Sequence, residues 1–124
     1  SNYYCWRELA EKNNANLITV PWPEHGDWTK AIIDAIDHNT AIVATANAHW
    51  TNGSYIDLVE LGKKTREFNA ALVLDLTQTL GTAPFSVKEV DPDFMVVGAY
   101  KWLLGPYSFG FLYAAPRNQD GNDL

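Results

Sequence analysis

The sequence alternates between short apolar runs and segments with helical periodicity, and this alternation constrains the fold more than any other feature. Apolar or β-branched runs lie at 17–20, 41–45, 71–74, 94–97 and 109–113, and such runs are typical of strands. Apolar side chains at helical spacing occupy the segments around 2–12, 27–36 and 54–68. Because strands that alternate with helices form parallel sheets, we predict an α/β fold with about five strands and flanking helices.

The last predicted strand has a different connection from the others. Residues 99–108 separate it from the strand before, and this segment is short and contains Gly105 and Pro106. A parallel return usually needs a dozen or more residues. We therefore expect the strand at 109–113 to run antiparallel to its neighbour.

Three local signals predict where helices begin. Asp27 precedes a helical stripe and is a good N-cap residue. Ser54 and Asp57 have the spacing of a capping box, which would start the next helix at Ser54. A single helical turn is expected at 87–90, between two prolines.

Composition excludes several classes of function. The 124 residues suit one domain, carry a formal charge of −6 and contain no cluster of Lys or Arg, which disfavours binding to nucleic acids or anionic membranes. A single cysteine, Cys5, precludes an internal disulfide, and together with the absence of a visible targeting signal it predicts a cytoplasmic protein. The three histidines are scattered, so the spacing of a metal site is not found.

Polar side chains follow three successive strands of the predicted sheet. His49 comes shortly after the run at 41–45, Asp75 ends the run at 71–74 with Gln78 close behind, and Lys101 follows the run at 94–97. Ligands of open parallel sheets bind beyond the carboxyl ends of the strands. If these strands are neighbours, an imidazole, a carboxylate, an amide and an amine meet at one edge of the sheet.

Each of these residues also has a structural interpretation. In this interpretation, Asp75 is a carboxylate that accepts hydrogen bonds from backbone amides of the next turn, and His49 is a loop histidine with ordinary partners. Most lysines are solvated, but Lys101 stands between Tyr100 and Trp102 in an apolar stretch. An apolar setting makes a lysine amine more available as a nucleophile.

Taken together, the order and spacing of the motifs resemble those of class V aminotransferases, which are fold-type I enzymes that use pyridoxal 5'-phosphate (PLP). This family includes cysteine desulfurases, kynureninases and isopenicillin-epimerase-like proteins. The resemblance covers roughly residues 3–116. The matching positions are His49 to Gly53, Asp57, Leu58, Asp75 to Gln78, Gly81, Pro84, Asp93, Phe94, Tyr100 to Trp102, Gly105, Pro106 and Gly110.

The resemblance implies a role for each polar residue at the edge of the sheet. Lys101 would form the internal aldimine with PLP, and Asp75 would keep the pyridine nitrogen protonated. Gln78 would bond the phenolic oxygen of the ring. His49 replaces the Asn that many relatives place near the same oxygen, so it would either bond there or pack on the ring. Tyr100 would lie next to the phosphate.

Two positions near the phosphate depart from the family. Tyr100 stands where many relatives carry His, and Gly98 stands where they often carry Ser. Both departures change the groups that would hold the phosphate.

Family members are much longer than 124 residues, so the resemblance implies a partial PLP-binding large domain at 1–116 and a flexible tail at 117–124. Neither a glycine-rich phosphate loop nor a C-terminal domain is found in the sequence. One hypothesis is a fragment or truncated homologue of an enzyme acting on amino acids, inactive in isolation and binding PLP weakly. The alternative is a non-catalytic binding or oligomerisation module. Exposed sheet edges and an aromatic surface favour a homo-oligomer in either case.

Overall fold

The computed structural model describes residues 2–120, without the side chain of Asn2, and contains one four-stranded sheet. The strands lie in the order β1-β2-β3-β4; the first three are parallel, and β4 is antiparallel to β3. This confirms the predicted α/β fold and the reversed last strand. In chain order the elements are α1 (Asn2–Lys12), α2 (Trp28–Asp34), β1 (Ile42–Ala46), α3 (Leu58–Glu67), β2 (Ala71–Asp75), α4 (Val87–Val90), β3 (Phe94–Gly98), β4 (Gly110–Ala114) and a 3-10 helix at Pro116–Asn118.

The prediction of a strand at 17–20 is wrong, because these residues have no regular secondary structure. Ile18 is 72% exposed, and the sheet of the described residues begins at β1. A strand needs a neighbour for its backbone N–H and C=O groups, and a β-branched composition alone does not supply one.

Two of the three predicted helix starts are found. The side chain of Asp27 accepts a hydrogen bond from the backbone N–H of Lys30 and caps α2. The helical turn α4 occupies 87–90 as predicted. The predicted start at Ser54 is wrong, because Asp57 caps α3 and Ser54 lies in a turn, where its N–H donates to Asn52.

The hydrophobic core lies between one face of the sheet and the helices α2, α3 and α4. Leu61 of α3 and Leu72 and Leu74 of β2 are fully buried at its centre. α3 lies very close to α4: a Cβ atom on Gly62 would lie 2.1 Å from the carbonyl oxygen of Val90. The glycine therefore permits the close approach of the two helices.

The other face of the sheet is apolar and uncovered in the described part of the chain. Val96 of β3 and Leu112 of β4 pair in register on this face and are 38% and 71% exposed. Ile42 of β1 is 43% exposed. Sheets with parallel strands are usually covered on both faces, so this face is suited to contact with further polypeptide.

Asp93 connects β2, α3 and the residues after β4. Its Oδ2 accepts a 2.7 Å hydrogen bond from the N–H of Leu72 and another from the guanidinium of Arg66, while Oδ1 accepts from Nε of Arg117 at 2.8 Å and from Asn118. Burial raises the pKa of Asp93, but the hydrogen bonds from Arg117, Leu72 and Arg66 outweigh it and lower the pKa to about 2. The sequence analysis did not assign this role to Asp93.

The end of the domain was predicted at residue 116. Arg117 forms ion pairs with Asp91 and Asp93, and the side-chain amide of Gln119 donates to the carbonyl of Ala114. We propose on these contacts that the packed domain extends to about residue 119. Residues 121–124 of the predicted tail lie outside the described residues.

Candidate functional site

The carboxyl ends of β1, β2 and β3 lie side by side, as the sequence predicted. Ala46 of β1 pairs with Asp75, and Asp75 pairs with Val96 of β3. Neighbouring strands are about 5 Å apart, so the segments that leave these strands begin within about 10 Å of each other. These segments carry His49, Asp75 with Gln78, and Lys101.

Thr77 joins the turn after β2 to the end of β3. Its backbone N–H donates to Oδ1 of Asp75 at 3.0 Å, and its hydroxyl oxygen accepts from the N–H of Gly98 at 2.9 Å. The first bond is a hydrogen bond from a backbone amide of the next turn, as expected if Asp75 has a structural role. The second bond joins the turn that follows the half-buried Asp75 to the segment that leads into Lys101.

Lys101 lies in a loop that is closed by two hydrogen bonds between backbone groups of the loop itself. The N–H of Leu104 donates to the carbonyl of Lys101 at 3.1 Å, and the N–H of Gly105 donates to the carbonyl of Ala99 at 2.8 Å. Leu104 has a φ of 54° and its side chain is 89% exposed. Lys101 is half-buried, with Nζ 5.8 Å from the ring centroid of Tyr100. The backbone bonds hold the position from which this amine extends.

The turn that carries Gln78 packs against the Lys101 loop. Gly81 has a φ of 97°, and a Cβ atom there would lie 2.8 Å from the carbonyl oxygen of Trp102. A larger residue would therefore separate the two loops. The half-buried Gln78 lies on the turn between Asp75 and Gly81.

The two positions that depart from the family are in contact with each other. A Cβ atom on Gly98 would lie 2.7 Å from Cε1 of Tyr100, so the tyrosine ring occupies the space beside the glycine. The same ring packs on Tyr107 with centroids 4.8 Å apart. Tyr100 thus lies against the end of β3, one residue before Lys101.

His49 lies in an aromatic cluster that sequence analysis did not anticipate. Its ring is stacked on Trp28 of α2 at 5.7 Å and meets Trp22 edge to face at 5.6 Å, and its Nδ1 lies 2.8 Å from Oγ1 of Thr51. Trp28 lies in the segment at 27–36, whose apolar side chains predicted a helix and no further role. The preference of aromatic rings for one another is the signal that could have suggested a wider role.

Asn47 is a further polar residue of this edge that the sequence analysis did not select. It is 2% exposed, its side-chain amide donates to the carbonyl of Ile56 at 3.0 Å, and its own carbonyl accepts from the N–H of Ile56 at 2.9 Å. These bonds close the loop that carries His49. An Asn directly after a β-branched run could have indicated such a role, since a buried amide must be hydrogen-bonded.

The described residues contain no group of three or more His, Cys, Asp or Glu side chains that could hold a metal ion. Residues 2–120 also include no helix with the length and apolar character needed to cross a membrane.

Comparison with known proteins identifies the same relatives by sequence and by structure. The family model described as aminotransferase class-V matches residues 1–120. A protein described as a probable cysteine desulfurase from Pyrococcus abyssi is 28% identical over 113 residues, which are 91% of this chain and 28% of that protein. Isopenicillin N epimerase from Streptomyces clavuligerus is 26% identical over 117 residues, which are 91% of this chain and 29% of that protein.

Among solved structures, the apo cysteine desulfurase from Thermococcus onnurineus superposes with a TM-score of 0.86 at 25% identity. The match covers 96% of this chain and 30% of that chain. The chain therefore spans less than a third of the length of these relatives.

Proposed function

The chain belongs to the aminotransferase class-V family, and from this membership we propose that it forms the part of a PLP site that carries the Schiff-base lysine, Lys101. The observation that carries the proposal is the hydrogen bond from the N–H of Gly98 to the Thr77 hydroxyl oxygen. It joins the segment that leads to Lys101 to the turn of Asp75. An amine and a carboxylate at one edge of the sheet, with an amide and an imidazole on adjoining loops, fit a cofactor that has an aldehyde, a pyridine nitrogen and a phenolic oxygen.

Each side chain has a separate task in this proposal. PLP, when bound, supplies an electron-poor pyridine ring that withdraws electrons from an amino-acid substrate. The carboxylate of Asp75 holds a proton on the ring nitrogen, and the amine of Lys101 holds the cofactor and moves a proton to or from the substrate. Gln78 and His49 would donate hydrogen bonds to the phenolic oxygen, and Tyr100 would lie beside the phosphate.

The proposed activity is that of a longer protein of the family, acting on small amino acids in the cytoplasm. The chain covers 28% and 29% of the two relatives described above, and no glycine-rich phosphate loop is found in its 124 residues. We therefore propose that the chain alone is inactive and binds PLP weakly. The reaction of the whole protein depends on groups that are not among these residues.

Borohydride trapping tests the lysine assignment directly. The chain is incubated with PLP and reduced, and the mass increase is located by peptide mapping. We expect labelling at Lys101, where the loop holds the amine near the end of β3. The label should be lost in Lys101→Ala and kept in Lys63→Ala, which removes an exposed lysine of α3. Label spread over Lys12, Lys63 and Lys64 would contradict the proposal.

A non-catalytic oligomerisation module is the second candidate, and the composition of β4 favours it. This edge strand has no charged residue, and Phe111 and Leu112 are 55% and 71% exposed. Natural edge strands are usually protected by charges or covered, because an open strand pairs with other chains. Pairing between two β4 strands would form a homodimer.

Sedimentation velocity over a range of concentrations tests the second candidate. We expect self-association in the wild-type chain and loss of it in Leu112→Lys, because the lysine puts a charge on the edge. Leu9→Lys serves as the matched control, since Leu9 is also exposed but lies on α1. A monomer at all concentrations, or equal association in both variants, would argue against the module.

A further inference from the structure

The ring of His49 is held by three side chains from different segments. Trp28 lies parallel to it within 8°, Trp22 meets it at 85°, and Oγ1 of Thr51 lies 2.8 Å from its Nδ1. Within residues 2–120, Nε2 of His49 has no hydrogen-bond partner. The ring is thus fixed in its plane while one nitrogen remains open to a ligand.

The contact with Thr51 is coupled to the position of the ring proton of His49: Nδ1 accepts from the hydroxyl when the proton is on Nε2, and donates to it when the proton is on Nδ1. A neutral imidazole has one N–H donor and one acceptor nitrogen, and the partner of one nitrogen fixes the role of the other. In the described part of the chain, Nδ1 of His49 is the one group that lies within hydrogen-bond distance of the Thr51 hydroxyl. When that hydroxyl donates to Nδ1, the proton of the ring must be on Nε2.

We propose that Thr51 is a positioning residue that holds His49 as the neutral tautomer with its proton on Nε2, while Trp28 fixes the ring plane by stacking. The consequence is an N–H donor at the carboxyl end of β1. Its ligand is an anionic or phenolic oxygen. The opposite tautomer would present a lone pair there, which repels an oxygen that carries negative charge and no proton. The identity of the ligand rests on the proposed function, in which this oxygen belongs to PLP.

Nuclear magnetic resonance of the chain with ¹⁵N-labelled histidine tests the proposal without a cofactor. At mildly alkaline pH, the ¹⁵N shifts of the two ring nitrogens show which of them carries the proton. We expect the Nε2–H tautomer for His49 in the wild-type chain. Thr51→Ser should preserve it, since the hydroxyl remains. Thr51→Val should shift both resonances toward the values of a mixture, because it removes the hydroxyl at nearly constant volume.

The same spectra contain their own controls. His38 packs on Phe68 and is not in contact with Thr51, so its resonances should be the same in all three proteins. Because Thr51 is exposed, both substitutions should preserve the fold, and backbone amide spectra check this. A single Nε2–H tautomer in Thr51→Val, or an Nδ1–H tautomer in the wild-type chain, would overturn the proposal.

The tautomer measurement and the borohydride trapping together distinguish the positioning role of Thr51 from the assignment of Lys101 to PLP. If Lys101 is trapped by PLP but the tautomer does not depend on Thr51, only the positioning role is lost. If the tautomer depends on Thr51 but Lys101 is not trapped, His49 remains a fixed donor and the cofactor assignment is lost.

Discussion

Gly98 and Tyr100 show how two residues of the site depend on each other. The ring of Tyr100 occupies the space that a side chain at position 98 would need. A serine at position 98, which is frequent in the relatives that the chain resembles, therefore cannot coexist with the present position of this ring. We therefore expect positions 98 and 100 to be energetically coupled.

A double-mutant cycle measures this coupling. Gly98→Ala should lower the free energy of unfolding by about 1 kcal/mol, because the new Cβ atom displaces the ring from Tyr107. In a Tyr100→Ala background the same substitution should cost much less, since the obstructing ring is gone. Urea unfolding of the four proteins gives the coupling energy. Equal costs in the two backgrounds would show that the ring does not limit position 98.

Asp75 and Asp93 show which roles of a residue can be predicted from the sequence and which cannot. Asp75 could be selected because a charged residue directly follows a buried apolar run. Asp93 could not be selected in this way, because its role depends on Arg66 and Arg117, which only the folded chain brings to it. Local patterns identify unusual positions, whereas tertiary partners determine what a residue does there.

The helices and strands also differ in how well the sequence predicts their positions. The strands β1 to β4 were predicted within about one residue, since each is a continuous apolar run between turn residues. The start of α3 was predicted three residues early. Ser54 and Asp57 are both residue types that can cap a helix, but only Asp57 accepts hydrogen bonds from the backbone N–H groups of the first turn. The error at 17–20 has another cause, since strand formation requires a partner that composition does not reveal.

The contact between α3 and α4 gives a prediction at the element scale. Gly62→Ala would place a Cβ atom 2.1 Å from the carbonyl oxygen of Val90, so the two helices must separate. The gain in helix propensity, about 1 kcal/mol, is smaller than this repacking cost. We expect a net loss of about 2 kcal/mol in the free energy of unfolding, measured by urea denaturation.

Lys63→Ala is the control for this substitution. It changes the next residue of the same helix, and its side chain is exposed. Its effect should stay within about 0.5 kcal/mol. A Gly62→Ala protein as stable as this control would show that the helices can separate without loss.

The stability of the whole molecule should depend on acid pH through Asp93. The folded pKa of about 2 lies below the ordinary value of 3.8. The carboxylate therefore stabilises the fold fully above pH 3.8, and this contribution falls as the pH decreases from 3.8 through about 2. The shift corresponds to about 2 kcal/mol.

Urea unfolding between pH 2 and 5 checks this dependence. Asp93→Asn should be less stable at pH 5 and should lose less of its remaining stability in the acid range. Asp34→Asn is the control, because its ion pair with Lys30 is exposed to solvent and should contribute little to stability. An unchanged pH profile in Asp93→Asn would assign the acid sensitivity to other carboxylates.

The fold class could be predicted from the alternation of strands and helices, and the reversed β4 from the short connection before it, but the uncovered face of the sheet could not. Whether an apolar face is covered depends on which elements lie against it. The positions of Ile42, Val96 and Leu112 show that helices cover one face only in the described part of the chain.

The four strands are arranged in the sheet in the order in which they are synthesised. Each strand pairs with the strand that immediately precedes it in the chain, so every pairing closes a short loop and costs little chain entropy. Folds built from such near-neighbour pairings form faster than folds whose adjacent strands are far apart in sequence. The N–H of Ala99 donates to the carbonyl of Phe109, so the pairing of β4 with β3 also fixes the two ends of the segment that carries Lys101.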